Sequence, residues 1–489
     1  MDDQFMTLAS LTIGQAGEKL RAKEVSSEEL TRACIERIES VDGSLNAVVH
    51  RHFEEALEEA KKIDSKGTFD HPLTGIPYLA KDVYCEKGRA TTACSNVLRS
   101  KDYVPPFDST TTSRLKAVGA ISLGKTNTDE FTMGASTETS CYGVTRNPWD
   151  TSRVAGGSSG GSAASVAADE CLFALGTDTG GSIRQPAGYC SIAGIRCTYG
   201  RNSRFGVMSM ASSLDTIGPM AKTVEDLAII LEAIAGKDPL DATTGDVPVP
   251  DYRSMLTGDV KGMKIGIPKE YFIDGMNQEV EGSVREAAKV FESLGATIHD
   301  VSLPHTKYAT ATYYIICPCE VSSNMARYDG IRYGHTEKAE DLIDYHKKVR
   351  STGFGPEVKR RIMIGTYALS AGYFDAYYRQ AQKVRTLIRQ DFDRAYEQVD
   401  CILSPVSPTP AFKIGANTSD PVAMYLEDVF LSGQVMAGIP ALSIPCGFSK
   451  DNLPIGLQLM GRQWGEGELL KAAHAFEKAT EWHTRKPAL

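Results

Sequence analysis

Two glycine- and serine-rich corners hold the residues best suited to chemistry. Gly156-Gly157-Ser158-Ser159-Gly160-Gly161-Ser162 leads into an Ala-rich helical stretch, and Gly176-Thr177-Asp178-Thr179-Gly180-Gly181-Ser182 follows a short apolar run. Glycine tolerates unusual backbone angles and close backbone approach, so such corners let hydroxyls converge where side chains would crowd. In the second corner the successive N–H groups of Thr179, Gly180 and Gly181 would line an oxyanion hole beside Ser182. A serine nucleophile needs a base, and no His-Asp partner stands out among nine dispersed His. Lysine is the alternative base. Lys81 is the best-placed one, since it closes the apolar run Ile76-Pro77-Tyr78-Leu79-Ala80, where burial lowers a lysine pKa toward neutrality. Plainer readings stand beside these. Gly/Ser composition is common in flexible linkers, and most lysines are solvated surface charges. A linker should join two domains, however, and this one sits between a helix and a βαβ-like core.

Two other patterns compete. Gly119-Ala120-Ile121-Ser122-Leu123-Gly124-Lys125-Thr126 fits the P-loop expression, the basis for an alternative reading as an ATP-binding protein. That mechanism needs a strand before the first Gly and a helix starting at the Lys. Here a helical stretch precedes Gly119, which reads better as a helix C-terminal glycine, and residues 120–123 read as a strand. The eleven cysteines are scattered and odd in number, with Cys317 and Cys319 the only close pair. They read as reduced thiols, with Cys317-Pro318-Cys319 small residues beside a packed strand. No finger-like spacing or His-Glu-x-x-His points to a metal.

The surrounding elements must position the corners. Ser26 and Glu29 form a capping box, and Leu30, Cys34, Ile35 and Ile38 share a face, which predicts a helix from about Ser26 to Val41. A second helical stretch reaches about Ile63. From Leu73 short apolar runs at 76–80, 120–123 and 172–175 alternate with helical stretches at 110–118 and 162–168, the pattern of an α/β sheet. Residues 236–262 read as a linker or long loop. A strand at 264–268, a helix at 279–294 and a largely helical stretch to about 399 follow. Strands then return at 402–403, 442–444 and 455–460, so one sheet threading both halves is favoured. Length agrees loosely, since 489 residues allow about two to four domains or one large α/β domain. The formal charge of -9 excludes nucleic-acid binding by charge alone. The sequence holds no apolar run of about 18 residues, and the start Met1-Asp2-Asp3-Gln4 lacks a secretory pattern, which together predict a cytoplasmic protein without a membrane span.

Lys81, the Gly-Gly-Ser-Ser-Gly-Gly-Ser run and Gly-Thr-Asp-Thr-Gly-Gly-Ser-Ile-Arg-Gln-Pro-Ala resemble the amidase signature family over essentially the whole chain. Segments outside those motifs, Thr198-Tyr199-Gly200-Arg201, Ala211 to Asp215, Arg327 to Tyr333 and Lys359 to Ile362, resemble the amidase subunits of tRNA-dependent amidotransferases within it. The resemblance implies a single α/β amidase domain over residues 66–489, with a mixed central β-sheet covered by helices on both faces. Its motif core spans about 73–220, and a helical segment over 1–65 precedes it. It also implies a Ser-Ser-Lys triad in which Ser182 attacks glutamine and Ser158, after a cis peptide bond, relays its proton to Lys81. Backbone N–H groups of Thr179 to Ser182 would hold the oxyanion.

For the substrate the resemblance implies Arg361 at the α-carboxylate, Asp428 at the α-ammonium and Tyr313 as a further contact. Arg360, Glu427 and Tyr314 are the neighbouring alternatives. Ammonia would pass to a B subunit of a heterotrimer that also holds a C subunit, for conversion of Glu-tRNA(Gln) to Gln-tRNA(Gln) or of Asp-tRNA(Asn) to Asn-tRNA(Asn). No cofactor belongs to this chain. ATP and Mg, and charged tRNA, belong to the partner. A stand-alone amidase of another amide is the enzymatic alternative, and an idle scaffold role is opposed by the complete triad. The chain departs from the family pattern at Ala155, Cys197 and Ile316-Cys317-Pro318-Cys319, the last near the expected pocket.

Overall fold

The computed structural model describes residues 8–99, 103–418 and 420–489. The first predicted helix forms as Ser27–Leu45, and the reciprocal capping box at its start joins the Ser26 side chain to the Glu29 N–H and the Glu29 carboxylate to the Ser26 N–H. It runs past Val41 because Val41, Asp42 and Leu45 continue its buried face. Between it and helix Phe53–Lys66 lies a four-residue strand, β1 (Val48–Arg51), which was not predicted. β1 is too short for a period to show, and its pairing with a later strand decides its conformation.

The apolar runs form the strands of one mixed sheet. In chain order they are β2 (Pro77–Lys81), β3 (Ile121–Thr126), the hairpin pair β4 (Arg146–Asn147) and β5 (Asp150–Val154) outside the sheet, β6 (Phe173–Asp178), β7 (Ala193–Arg196) and β8 (Thr216–Ala221). The second half adds β9 (Lys264–Pro268), β10 (Thr297–Val301), β11 (Cys401–Pro405), β12 (Ala441–Phe448) and β13 (Pro454–Gly461). The eleven-stranded order is β1-β3-β2-β6-β8-β7-β12-β13-β11-β9-β10. β2 runs parallel to both β3 and β6, while β12 pairs antiparallel with β7 and so joins the halves. β2, β3 and β6 are buried along their whole length, as expected of strands that read as continuous apolar runs. Helices flank this sheet. The late strands at 401–405, 441–448 and 454–461 each extend the predicted cores by one to several residues.

The P-loop alternative does not survive the fold. Gly124, Lys125 and Thr126 lie on β3, with Lys125 buried rather than opening a helix. Gly119 has φ +80° just beyond helix Thr110–Ala117, the left-handed conformation of a helix C-terminal glycine. Residues 236–262 carry neither a helix nor a strand. Asp241 accepts the Arg204 N–H at 2.8 Å, and Asp238 accepts from the hydroxyls of Ser203 and Thr110, so the segment is a tethered loop. All eleven cysteines are free thiols. Cys317 and Cys319 flank Pro318 inside helix Ala309–Asn324, not beside a strand as expected. Small residues suit that place for another reason: a Cβ on Gly365 of helix Pro356–Leu369 would lie 1.9 Å from the Pro318 carbonyl oxygen, so the two helices touch by their backbones. Among the described residues no helix is long and apolar enough to cross a membrane.

Candidate active site

Lys81 ends β2, flanked by β3 and β6, and its side chain is fully buried. Its Nζ lies 2.7 Å from Ser158 Oγ, 2.9 Å from Ser159 Oγ and 2.9 Å from Thr177 Oγ1. Among the described residues no carboxylate lies within ion-pair distance of it. Burial therefore dominates, pushing its pKa down to about 7 against the more distant pull of Asp129 and Asp178. A neutral amine has two N–H donors and one lone pair, which matches three hydroxyl neighbours when one of them donates to nitrogen. Lys125 makes the contrast. It pairs with Ala80 across the same two strands and is just as buried, yet its Nζ has Glu86 at 3.7 Å and the Tyr84 carbonyl at 2.6 Å. One buried lysine has a counter-charge and the other has hydroxyls.

Ser158 and Ser159 immediately precede helix Gly160–Ala167, and the Gly157–Ser158 peptide is cis. Ser162 pins that helix to the sheet, donating to the Leu175 carbonyl at 2.9 Å and lying 2.7 Å from Thr126 Oγ1. The two corners meet through the backbone, where the Ser159 N–H donates to the Ser182 carbonyl at 3.1 Å. The second corner is shaped from below by Asp178, whose carboxylate accepts from Gly181 N at 3.0 Å, Arg184 Nε at 3.0 Å and Arg196 Nη1 at 3.1 Å. Burial alone would raise Asp178, but the two guanidinium groups outweigh it and hold the pKa at about 2. The Gly181 N–H, one of the expected oxyanion donors, is thus directed at Asp178. Among the described residues nothing accepts from the N–H groups of Thr179, Gly180 or Ser182, which remain for an oxyanion. Gly181 has φ +137°, and a Cβ there would lie 2.4 Å from Leu431 Cδ1. Only glycine suits the position.

The three expected substrate contacts come from the second half. Tyr313 on helix Ala309–Asn324 packs against the corner, for a Cβ on Gly180 would lie 2.8 Å from its hydroxyl oxygen. Tyr314 turns away and stacks on Tyr425 with ring centroids 3.8 Å apart. Arg361 is buried, and Nε donates to Glu357 Oε1 at 2.8 Å, whereas the Arg360 side chain is 41% exposed. Cys317, part of the departure from the family pattern, lies with Sγ 3.9 Å from Arg361 Nη1. Asp428 is buried, and among the described residues no group donates to its carboxylate. Burial holds its pKa well above the usual range, with Arg361 opposing. Glu427, the alternative, is occupied instead, accepting from Tyr189 at 3.1 Å and Asn417 at 3.3 Å. Leu431, whose N–H donates to the Asp428 carbonyl, seats this segment on the Gly181 corner. A cavity of about 270 Å³ opens beside Arg361, walled by Ser136, Tyr314, Glu357 and Tyr425. A larger one of about 740 Å³, between helices Gln278–Ser293 and Glu466–Ala479, contains none of these residues.

The sequence reading missed Thr177 and Ser159 as neighbours of Lys81, although both stand inside the quoted motifs. It also missed Asp129, which is buried and accepts from Thr137 N at 2.9 Å and Thr139 Oγ1 at 2.9 Å. A Cβ on Gly157 would lie 2.3 Å from Asp129 Oδ2, so this carboxylate lies against the first corner. Nothing in its local sequence marks it.

Residues 29–470 match the amidase family. The chain is 55% identical over 487 residues to the A subunit of glutamyl-tRNA(Gln) amidotransferase of Desulfatibacillum aliphaticivorans, covering 99% of this chain and 100% of that protein. The crystal structure of the A subunit of glutamyl-tRNA(Gln) amidotransferase from Thermotoga maritima is similar, with TM-score 0.79 and 40% identity over 96% of this chain and 95% of that one. The structure of 6-aminohexanoate cyclic dimer hydrolase is also similar, with TM-score 0.85 and 25% identity over 98% and 99% of the two chains.

Proposed function

Because the chain belongs to the amidase family, we propose that it is the glutamine-hydrolysing subunit of a tRNA-dependent amidotransferase, acting through Ser182, Ser158 and Lys81. The observation that carries this reading is Lys81: a buried amine with its pKa near 7, 2.7 Å from Ser158 Oγ and without a carboxylate partner. Ser182 Oγ attacks the side-chain amide carbon of glutamine while its proton passes through Ser158 to Lys81. The N–H groups of Thr179, Gly180 and Ser182 hold the tetrahedral oxyanion, with Gly181 serving the turn through Asp178. Protonated Lys81 then returns the proton through Ser158 to the leaving nitrogen, ammonia departs, and a glutamyl ester on Ser182 remains. Water, deprotonated along the same relay, hydrolyses that ester to release glutamate.

At the other end of the substrate Arg361 receives the α-carboxylate and Asp428 the α-ammonium, with Tyr313 between them and the corner. A buried carboxyl that lacks a protein donor gains most from an arriving ammonium. The ammonia serves a B subunit in a cytoplasmic heterotrimer with a C subunit, where ATP and Mg support amidation of Glu-tRNA(Gln) or Asp-tRNA(Asn). Support for that assembly comes from the full-length likeness to proteins named as the A subunits of such an amidotransferase. The test is ammonia release from glutamine by the chain alone and with its B and C partners, with Ser182→Ala as control. Glutamine-dependent ammonia release lost in the control is the expected result, and no release from glutamine in either form would overturn the reading.

A further inference from the structure

As the proposed partner of the substrate carboxylate, Arg361 has a side chain with many rotamers that must be held to bind from a fixed direction. The holder is one helical turn away. Glu357 and Arg361 stand at i and i+4 on helix Pro356–Leu369, the spacing that brings side chains together. Only Nε of the guanidinium donates to Glu357, at 2.8 Å, and among the described residues no oxygen accepts from Nη1 or Nη2. The planar group is further confined by the rings of Tyr314 and Tyr425, with centroids 5.4 and 5.8 Å from its carbon. Tyr425 also donates its hydroxyl to the same Glu357 oxygen at 2.9 Å, and Arg360 pairs with the other oxygen. Glu357 is itself fixed, lying in the first turn of a helix whose start is tied down by the Gly355 N–H donating to Glu130 Oε2 at 2.8 Å.

Resting on the proposed glutamine reading, we propose that Glu357, with Tyr425, is a positioning residue that holds Arg361 by Nε and so presents the Nη1–Nη2 edge, whose one recorded contact is the long one from Nη1 to Cys317 Sγ at 3.9 Å, to the substrate α-carboxylate. An end-on carboxylate needs both Nη groups in one plane, which this arrangement supplies. Because Glu357 divides its charge between Arg360 and Arg361, it orients the guanidinium without fully cancelling it. An ordinary helix-surface ion pair would leave substrate preference unchanged.

The test uses the full complex and separates KM from kcat on two substrates, glutamine and butanamide, which lacks both α-charges. Glu357→Ala is expected to raise KM for glutamine about tenfold or more, to change kcat less than about threefold, and to lose far more on glutamine than on butanamide. Glu357→Gln, which keeps an oxygen facing Nε, is expected to recover most of the loss. Tyr425→Phe, which keeps the ring but not the hydroxyl, is expected to raise the glutamine KM about threefold, and it keeps the idea testable if the alanine variant does not fold. Equal losses on both substrates, or a glutamine KM unchanged in both Glu357→Ala and Tyr425→Phe, would overturn the inference. If Arg361→Ala raises the glutamine KM under those conditions, only the positioning role has failed. If Arg361→Ala also leaves the preference unmoved, the glutamine reading itself has failed.

Discussion

Lys81, Ser158 and Ser182 stand on backbone fixed by adjacent parallel strands and the turns beside them, whereas Tyr313 and Arg361 arrive on two separate helices of the second half and Asp428 on the turn after helix Pro421–Leu426. At the first end the donors are N–H groups and hydroxyls locked by strand register, with Asp178 bracing the turn. At the second end side chains hold side chains: Glu357 holds Arg361, and two tyrosine rings confine it. An arrangement made from backbone tolerates little change, while one made from side chains can be retuned by single substitutions.

Breaking the first end should cost most. Ser182→Ala and Lys81→Ala are each expected to reduce amide hydrolysis by about three orders of magnitude or more, on glutamine and butanamide alike. Lys81→Arg should not restore it, since a guanidinium does not give up its proton in proteins. Steady-state kinetics on both substrates checks this, and an active Arg variant would remove Lys81 as the base. Breaking the second end should cost less and should depend on the substrate. Arg361→Ala and Asp428→Ala are expected to lower kcat/KM for glutamine about ten- to a hundredfold each, with a much smaller change on butanamide.

The first end should also respond to pH. In the proposed mechanism neutral Lys81 is the working form, so kcat/KM should rise about tenfold per pH unit below about 7 and level off above it. On butanamide, which has no ammonium for Asp428 to receive, the same profile should persist in Arg361→Ala, because Lys81 alone then sets it. A flat profile between about pH 6 and about pH 8, each about a unit from the expected bend, would contradict the assigned role. The smallest effect concerns folding. The folded-state pKa of Lys81 is depressed from 10.5 to about 7, so between those values the unfolded chain binds the extra proton and stability rises with pH. Relative to Lys81→Met, wild type should therefore gain at most about 1.4 kcal/mol per pH unit over that window. Urea midpoints of both proteins at pH 7.5 and 9.5 measure the difference, and parallel shifts would indicate that Lys81 stays charged when folded.

The two glycine-serine corners were legible because their geometry is local. Gly-Gly-Ser corners announce themselves, and a lysine ending an apolar run is buried wherever that run becomes a central strand, as β2 does. Helix Ser27–Leu45 was legible through its capping box, and Lys264–Pro268 through its bounded apolar run. β1 was not, since four residues with mixed burial show no period. Asp129 was not, since its importance comes from facing Gly157 across 28 positions of sequence.

What the sequence determined by itself is therefore the set of candidate groups and the α/β scaffold under them, because strand periodicity, glycine corners and helix caps act over a few residues. Tertiary structure decided the rest. Of two equally buried lysines on neighbouring strands, only packing gave Lys125 a carboxylate at 3.7 Å and left Lys81 with hydroxyls. It alone set Arg361 apart from Arg360 and Asp428 apart from Glu427, by burying one of the arginines and by supplying donors to only one of the two carboxylates. A side chain's charge state and free hydrogen-bonding edges depend on which distant groups surround it, and that neighbourhood exists only once the chain has folded.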